Sequence, residues 1–290
     1  MSQADELKTA VDKFLEDRGI KPEPEDVKKT DAKGPGSMNI LIGIPTHSGE
    51  VKAKCVSSLL NLTKKLQEIG IRFELEIIPH CPIIGVARNH FANRAAFDLD
   101  REGLFYFTHL LMIDSDSANF ENGVVRLISE DKPISGLVYA TKNIVWEKIE
   151  SAVRQGVHTN HLSDVDSFGP FDVNQLARVR HIIGGGTLLV QKKVFRDLAE
   201  KHPDWRYRVN TTYFFGSPNP YREYQYDFFQ TKIDDKTKNY VCEDQFFNDE
   251  ARKIGYESYA LAAHRTYHVG THDFVLNLPL VGSHPRAAFM

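Results

Sequence analysis

Asn39-Ile40-Leu41-Ile42-Gly43-Ile44-Pro45 is an unbroken apolar run, too short for a helix and closed by proline. A run of this kind predicts a strand buried on both faces, as in a parallel sheet. Val51, Cys55, Leu59, Leu62, Leu66 and Ile69 follow at gaps of 4, 4, 3, 4 and 3, with Gly70 behind them. That spacing is one apolar stripe on a helix with a glycine stop. Outward from this pair, strands are predicted over Phe73–Ile78, Thr108–Ile113 and Pro133–Tyr139. Helices are predicted over Val86–Phe97 and Gly123–Ser129. Strictly alternating strands and helices imply a parallel sheet with helical crossovers, whose ligands lie at the carboxyl ends of the strands.

The second half is less regular. His181–Val190 reads as a strand interrupted by Gly184-Gly185-Gly186, Lys192–Lys201 as a helix, and Glu243–Ile254 as another with Phe247, Ala251 and Ile254 on one face. Residues 203–240 are tyrosine-rich without periodicity, which suits a loop region facing a ligand better than core. At the other end, residues 4–18 carry Leu7, Val11, Phe14 and Leu15 at the spacing of a short amphipathic helix. Gly34-Pro35-Gly36-Ser37 leads into Met38, so residues 1–37 read as an extension, a tag or linker, ahead of one domain at 38–290.

Composition narrows the class. The chain has 290 residues, with 36 Lys and Arg against 39 Asp and Glu, a net charge of -3. No overall basic character points to nucleic acid or an anionic membrane. Three distant cysteines, Cys55, Cys81 and Cys242, argue against a disulfide framework or a cysteine zinc site. With no apolar run long enough to span a bilayer and no signal-like start, a cytoplasmic protein is expected.

The chemistry is expected at His109-Leu110-Leu111-Met112-Ile113-Asp114-Ser115-Asp116. If the strand stays extended, period-two alternation puts both carboxylates on the same side. Paired hard oxygen ligands suit Mg²⁺ or Mn²⁺ shared with substrate phosphates. A polar strand end capping the next turn explains the motif without a metal. Pro45-Thr46-His47-Ser48-Gly49 closes the first strand, and Ser48 is a candidate cap for the helix after it. Arg88 suits paired bonds to a diphosphate, and Asn89 beside it suits the orienting of a loop. Glu243-Asp244 opens a helix, where acids complement the dipole, a complete structural explanation by itself. The late histidines His264, His268 and His272 offer an imidazole ligand beside the carboxylates, with a plain surface position as the other reading of His264 and His272. The triple glycine, placed inside a strand, suits close backbone approach rather than phosphate binding.

In their order along the chain these pieces resemble glycosyltransferases of the A fold. They are Gly43-Ile44-Pro45-Thr46, Ala87-Arg88-Asn89, Ile113-Asp114-Ser115-Asp116, Glu243-Asp244 and His268-Val269-Gly270. The likeness is to a bacterial, phage and giant-virus branch in which Lys142 also follows the fourth strand. The resemblance implies a single Rossmann-like α/β domain of glycosyltransferase-A type, its central sheet mainly parallel and its C-terminal half an irregular acceptor side. It implies a metal-dependent transferase taking a sugar from a nucleotide-diphosphate sugar, with Mn²⁺ or Mg²⁺ held by Asp114, Asp116 and His268. Pro45, Thr46, His47, Arg88, Asn89, Asp114, Ser115 and Lys142 are then the donor-binding residues. Asp244, with Glu243 beside it, is the base if the reaction inverts; in a retaining reaction the pair positions the acceptor. The acceptor stays open among glycan, glycolipid, protein, small molecule and modified DNA base. For the last, Lys192, Lys193, Arg196, Lys201, Arg206 and Arg208 with Trp205 and Tyr207 form a candidate phosphate-backbone contact, or simply a solvated face. A sugar nucleotidyltransferase is the alternative, disfavoured because Pro45–Gly49 lacks a basic residue. A non-catalytic carbohydrate-binding scaffold is the other.

Overall fold

The computed structural model describes residues 38–98, 106–140, 142, 176–179, 184–209, 224–262, 264–270 and 273–276. The extension at 1–37, with its predicted helix over 4–18, and His272 lie outside the described residues, as do 181–183.

Strand β1 (Asn39–Pro45) is buried along its whole length and pairs in parallel with β2 (Arg72–Ile78) and β3 (His109–Ile113). Helix α1 (Ala53–Glu68) joins β1 to β2, and α2 (Ile84–Phe97) leads from β2 towards β3. Alternation along β1 decides which helix covers which face. Ile40, Ile42 and Ile44 pack with Cys55, Leu59 and Leu62 of α1, whereas Leu41 packs with Ala87 and Phe91 of α2. Gly43 sits on the α2 face, and a methyl group there would stand 2.5 Å from the Phe91 ring, so glycine lets the helix lie directly on the strand. With α1 and α2 on opposite faces and β2 and β3 on opposite sides of β1, the winding reverses between β1 and β3. In open α/β sheets that reversal opens a crevice at the carboxyl ends of the strands.

The full sheet runs β2-β1-β3-β7-β5-β12-β6, with β5 at Ile134–Leu137, β6 at Ala177–Val179, β7 at Thr187–Gln191 and β12 at Ser258–Leu261. Five strands share one direction. Strands β7 and β6 oppose them, because β7 inserts antiparallel between β3 and β5 and β6 pairs antiparallel with β12. The strictly parallel succession expected from the alternating pattern is thus interrupted: a short apolar run encodes burial but not direction. Helix α3 (Glu121–Glu130) joins α1 on one face. On the other, α4 (Lys192–Lys201) and α5 (Glu243–Lys253) join α2 in a core centred on Phe195, Phe228, Phe229 and Phe247.

Three local expectations are corrected. Gly184–Gly186 precede β7 as a turn rather than interrupting it. Helix α1 is capped at Lys52 without a side-chain bond, and exposed Ser48 does not cap it. Residues 203–240 are not wholly ligand-facing loop, since Phe228 and Phe229 are core. The stretch also supplies a hairpin of β8 (Arg206–Arg208) with β9 (Tyr224–Tyr226) and another of β10 (Lys232–Ile233) with β11 (Tyr240–Val241). A small separate sheet joins β4 (Ser117–Ala118), β13 (Thr266–Val269) and β14 (Asp273–Leu276). Among the described residues no helix is long and apolar enough to cross a membrane.

Candidate functional site

The crevice between β1 and β3 is where most of the expected residues gather. Strand β3 ends at Ile113, and the chain turns at once: the Ser117 amide donates to the Asp114 carbonyl at 3.0 Å, and the Asp114 amide to the Gly186 carbonyl at 3.1 Å. The two aspartates therefore sit on a turn rather than an extended strand, and they face different partners.

Asp114 turns to Arg88. From the first half of α2 this arginine is 3% exposed, with Nη2 at 3.2 Å from Asp114 Oδ1 and Nη1 at 2.5 Å from Glu243 Oε1. A methyl group on Gly185 would stand 1.9 Å from Nη2, so the glycine turn lies directly on the guanidinium. Burial works against the charge, but Asp114, Glu243 and Asp244 prevail and raise the pKa above the ordinary arginine value. Arg88 is thereby occupied with protein carboxylates and shielded, and the expected direct bond to a diphosphate is not the role its packing gives it. Its buried Nε has no hydrogen-bond partner among the described residues.

Asp116 turns the other way, to His268 and Lys142. Pairing of β13 with β4 sets His268 opposite Ser117, which brings its Nε2 to 3.4 Å from Asp116 Oδ1. Its Nδ1 lies 2.8 Å from the Ala140 carbonyl, an acceptor, so Nδ1 carries a proton. Nε2 faces the carboxylate, an arrangement favourable when the ring is the imidazolium or when a cation lies between the two. Lys142 Nζ binds Asp116 Oδ2. Burial would raise the Asp116 pKa, yet His268 and Lys142 overcome it and hold the group at about 2. This carboxylate is ionised at any ordinary pH. A protein acceptor on Ala140 that fixes the tautomer is the arrangement that commonly orients metal-binding imidazoles.

The expected three-ligand set is only partly assembled. Among the described residues, the one group of three with ligand atoms within 4.8 Å of each other is Cys242, Glu243 and Asp244, not Asp114, Asp116 and His268. That acidic group has another explanation. Burial and then Asp244 push the Cys242 thiol up to about 11, so it stays protonated and donates to Asp244 Oδ1 at 2.8 Å, while Glu243 is tied to Arg88. A divalent ion fits better at Asp116 and His268, one hard anionic oxygen and one pre-oriented nitrogen, with ligand positions left for phosphate oxygens.

Asp244, at the start of α5, accepts from the Gln245 amide at 2.8 Å through Oδ1, and Oδ2 lies against Gly184. Glu243, held by Arg88, is the less available of the two acids. The remaining expected residues divide. Pro45 pairs with Ile78, and Thr46 is buried with its hydroxyl on the Ile78 carbonyl, both shaping the strand end; His47 is exposed. The Ser115 carbonyl accepts the Lys52 amide at 2.9 Å, which fixes the turn to the start of α1. Asn89 is 3% exposed and pins the 227–229 loop, donating to Asp227 at 2.6 Å and accepting the Phe229 amide at 2.9 Å. It orients a loop and is sealed from the crevice. His264 is not a plain surface residue: half-buried, it meets the Asn119 carbonyl at 2.6 Å. In the basic stretch Trp205 stacks on His202 at 4.0 Å and the Tyr207 hydroxyl donates to Gln225.

Sequence reasoning did not find Ser117 or Tyr139. The Ser117 hydroxyl donates to the Gly186 carbonyl at 2.9 Å, and the Tyr139 hydroxyl meets Thr187 Oγ1 at 2.7 Å beside the His268 ring. Neither stands in a recognisable motif. A cavity of about 870 Å³ lies elsewhere, between the β10–β11 hairpin and α5. The acids and the cavity are thus separate, and the chemistry is assigned to the acids because only they combine charge with a switch-point position.

No family model matches the chain, and no curated protein matches it. Among solved structures, a glucose-1-phosphate thymidylyltransferase from Bacillus anthracis in complex with sucrose aligns with 9% identity and a TM-score of 0.28. The alignment covers 57% of this chain and 75% of that one. A 4-diphosphocytidyl-2C-methyl-D-erythritol synthase from Anaerococcus prevotii aligns with 11% identity and a TM-score of 0.29, covering 60% and 80%. Likenesses this remote carry no chemistry across, and the site is read from its own residues.

Proposed function

We propose that this chain is a metal-dependent glycosyltransferase moving a sugar from a nucleotide-diphosphate sugar to a hydroxyl acceptor. The observation that carries it is Asp116, ionised and flanked by Lys142 and the oriented His268 at the carboxyl end of the switch-point strand. Asp116 and His268 would hold Mn²⁺ or Mg²⁺. A divalent ion there supplies positive charge against the charge building on the departing nucleoside diphosphate. Lys142 adds a cation at the same carboxylate, suited to a phosphate oxygen. Exposed His47 and the end of β1 border the crevice where a nucleoside would lie. Arg88 acts by position: it fixes Asp114 and Glu243, and so holds the metal turn and the start of α5 in one register. Asp244 keeps one oxygen for the acceptor proton in an inverting reaction, or orients the acceptor in a retaining one.

A panel of UDP-, GDP- and dTDP-sugars with Mn²⁺ tests this. A donor at 100 times its Kd should stabilise the fold by about 2.7 kcal/mol. Release of nucleoside diphosphate should accompany it, and should be lost in EDTA and in Asp116→Asn without loss of fold. Pyrophosphate formed from a nucleoside triphosphate and a sugar 1-phosphate would instead establish a nucleotidyltransferase. Undiminished diphosphate binding in EDTA would refute the metal.

A further inference from the structure

The 870 Å³ cavity between the β10–β11 hairpin and α5 plays no part in the donor chemistry. Its volume is in the upper part of the roughly 300–1,000 Å³ range of small-molecule sites. Gln245, Asp249 and Arg252 line it from α5 at positions i, i+4 and i+7, one continuous helix face about 10 Å long at 1.5 Å rise per residue. Asn239 and Tyr240 line it from the hairpin, and Tyr240 is 65% exposed, an aromatic ring presented at the rim rather than buried in core. The hairpin that carries it is braced: Asp234 Oδ1 accepts the amides of Lys236 and Thr237, and Lys238 takes a left-handed φ of 59°.

Charge decides what class of ligand such a groove suits. Lys232 and Lys253 both bind Glu250, at 3.4 and 2.7 Å, and Arg252 binds Asp249 at 2.9 Å. Glu250 is itself 7% exposed, so the two lysines are anchored to a buried anion behind the wall. Every lining cation thus has an acid beside it, and a polyanion would have to break those pairs to gain its own. The lining is instead dense in amide, carboxylate and guanidinium groups in compensated pairs, next to an exposed aromatic face. Polyhydroxylated rings meet such a lining well: their hydroxyls donate and accept at once, and their C–H faces lie on aromatic rings.

We propose that this groove binds a neutral oligosaccharide, as the remote subsite of the acceptor. As an acceptor subsite it rests on the transferase reading. Gln245 ties the two together: it lines the groove, and its amide donates to Asp244 Oδ1 at 2.8 Å. A glycan lying along α5 towards its N-terminus therefore leads to the candidate base. Binding energy gathered along α5 would serve to orient the reacting hydroxyl, as remote contacts do in general.

The test uses the full chain and an array of neutral oligosaccharides of two to six sugars, with heparin fragments and single-stranded DNA as polyanion arms. At least one neutral oligosaccharide should bind. Tyr240→Ala and Gln245→Ala should each weaken it at least tenfold while nucleoside diphosphate binding with Mn²⁺ stays unchanged. Tyr240 is mostly exposed, so the fold should survive, and an unchanged melting temperature checks that. No neutral glycan bound at millimolar concentration, binding untouched by Tyr240→Ala, or preference for heparin or DNA would each overturn the proposal. Tyr240-dependent glycan binding without any metal-dependent nucleotide binding would uphold the groove while sinking the transferase reading.

Discussion

Replacing Arg88 by methionine tests the central structural device of the site. The guanidinium is 3% exposed and bonded to two carboxylates, Asp114 with 27% and Glu243 with 15% of their side chains exposed. Removing one member of a buried ion pair typically costs about 3–5 kcal/mol, because the orphaned charge stays behind. Here both orphans keep some access to water, so the lower end applies, about 3 kcal/mol. At about 2–4 °C per kcal/mol for a domain of this size, the melting temperature should fall by about 6–12 °C. Glu243→Gln, which leaves Asp114 on the arginine, should cost about 1–2 kcal/mol. Because the two residues share one network, the double variant should be more stable than the summed singles by about 1–3 kcal/mol. Urea denaturation of the four proteins at neutral pH measures all three terms. A loss under about 1 kcal/mol for Arg88→Met, or strict additivity in the double variant, would show that the arginine does not join the Asp114 turn to α5.

Gly185→Ala should reproduce part of that loss, since its methyl group would stand 1.9 Å from Arg88 Nη2; wild-type stability would mean that the glycine turn does not rest on the guanidinium. Asp244→Asn should lower kcat about 10²–10⁴-fold with donor affinity kept if it is the base, whereas a change within a few-fold by steady-state kinetics would leave it a helix-dipole residue. Glu76 supplies a pH prediction: burial raises its pKa, but His90 at 2.9 Å and Arg94 at 2.8 Å outweigh that and lower it, with Glu74 and Asp98 sharing the arginine. A depressed folded pKa stabilises above the ordinary carboxylate range and loses that contribution as pH falls through the folded value. The stability gap between wild type and Glu76→Gln should therefore narrow on going from pH 7 to pH 3; a constant gap in urea denaturation would exclude the linkage.

How far the site could be read in advance depended on what fixes each residue. The β1–α1–β2–α2–β3 half was legible because each element buries a stripe of its own. Ile40, Ile42 and Ile44 alternate, and Cys55, Leu59, Leu62 and Leu66 recur at helical spacing. Local periodicity and tertiary burial coincide there, so the crevice followed from the sequence alone. His268 was singled out only by the family resemblance, since what places it is the pairing of β13 with β4, a contact between residues 151 positions apart that no local pattern announces. Ser117 and Tyr139 were out of reach for the same reason: their partners, Gly186 and Thr187, are distant in the chain.

The divergence of Asp114 and Asp116 shows where local inference ends. An extended Asp-x-Asp would have pointed both carboxylates one way, and the strand does alternate faithfully as far as Ile113. It stops there because β7 runs antiparallel beside it, which brings the Gly186 carbonyl to the Asp114 amide and lets the Ser117 hydroxyl take the same oxygen. The turn then sends Asp114 to Arg88 and Asp116 to Lys142 and His268. Strand direction is a property of the sheet rather than of the five residues Thr187–Gln191, whose buried, apolar pattern would read the same either way. Had β7 run parallel, Gly186 would lie at the opposite end of the sheet from Asp114. The two carboxylates would then lack the acceptor that turns them apart, so the direction of one strand gives them their separate duties.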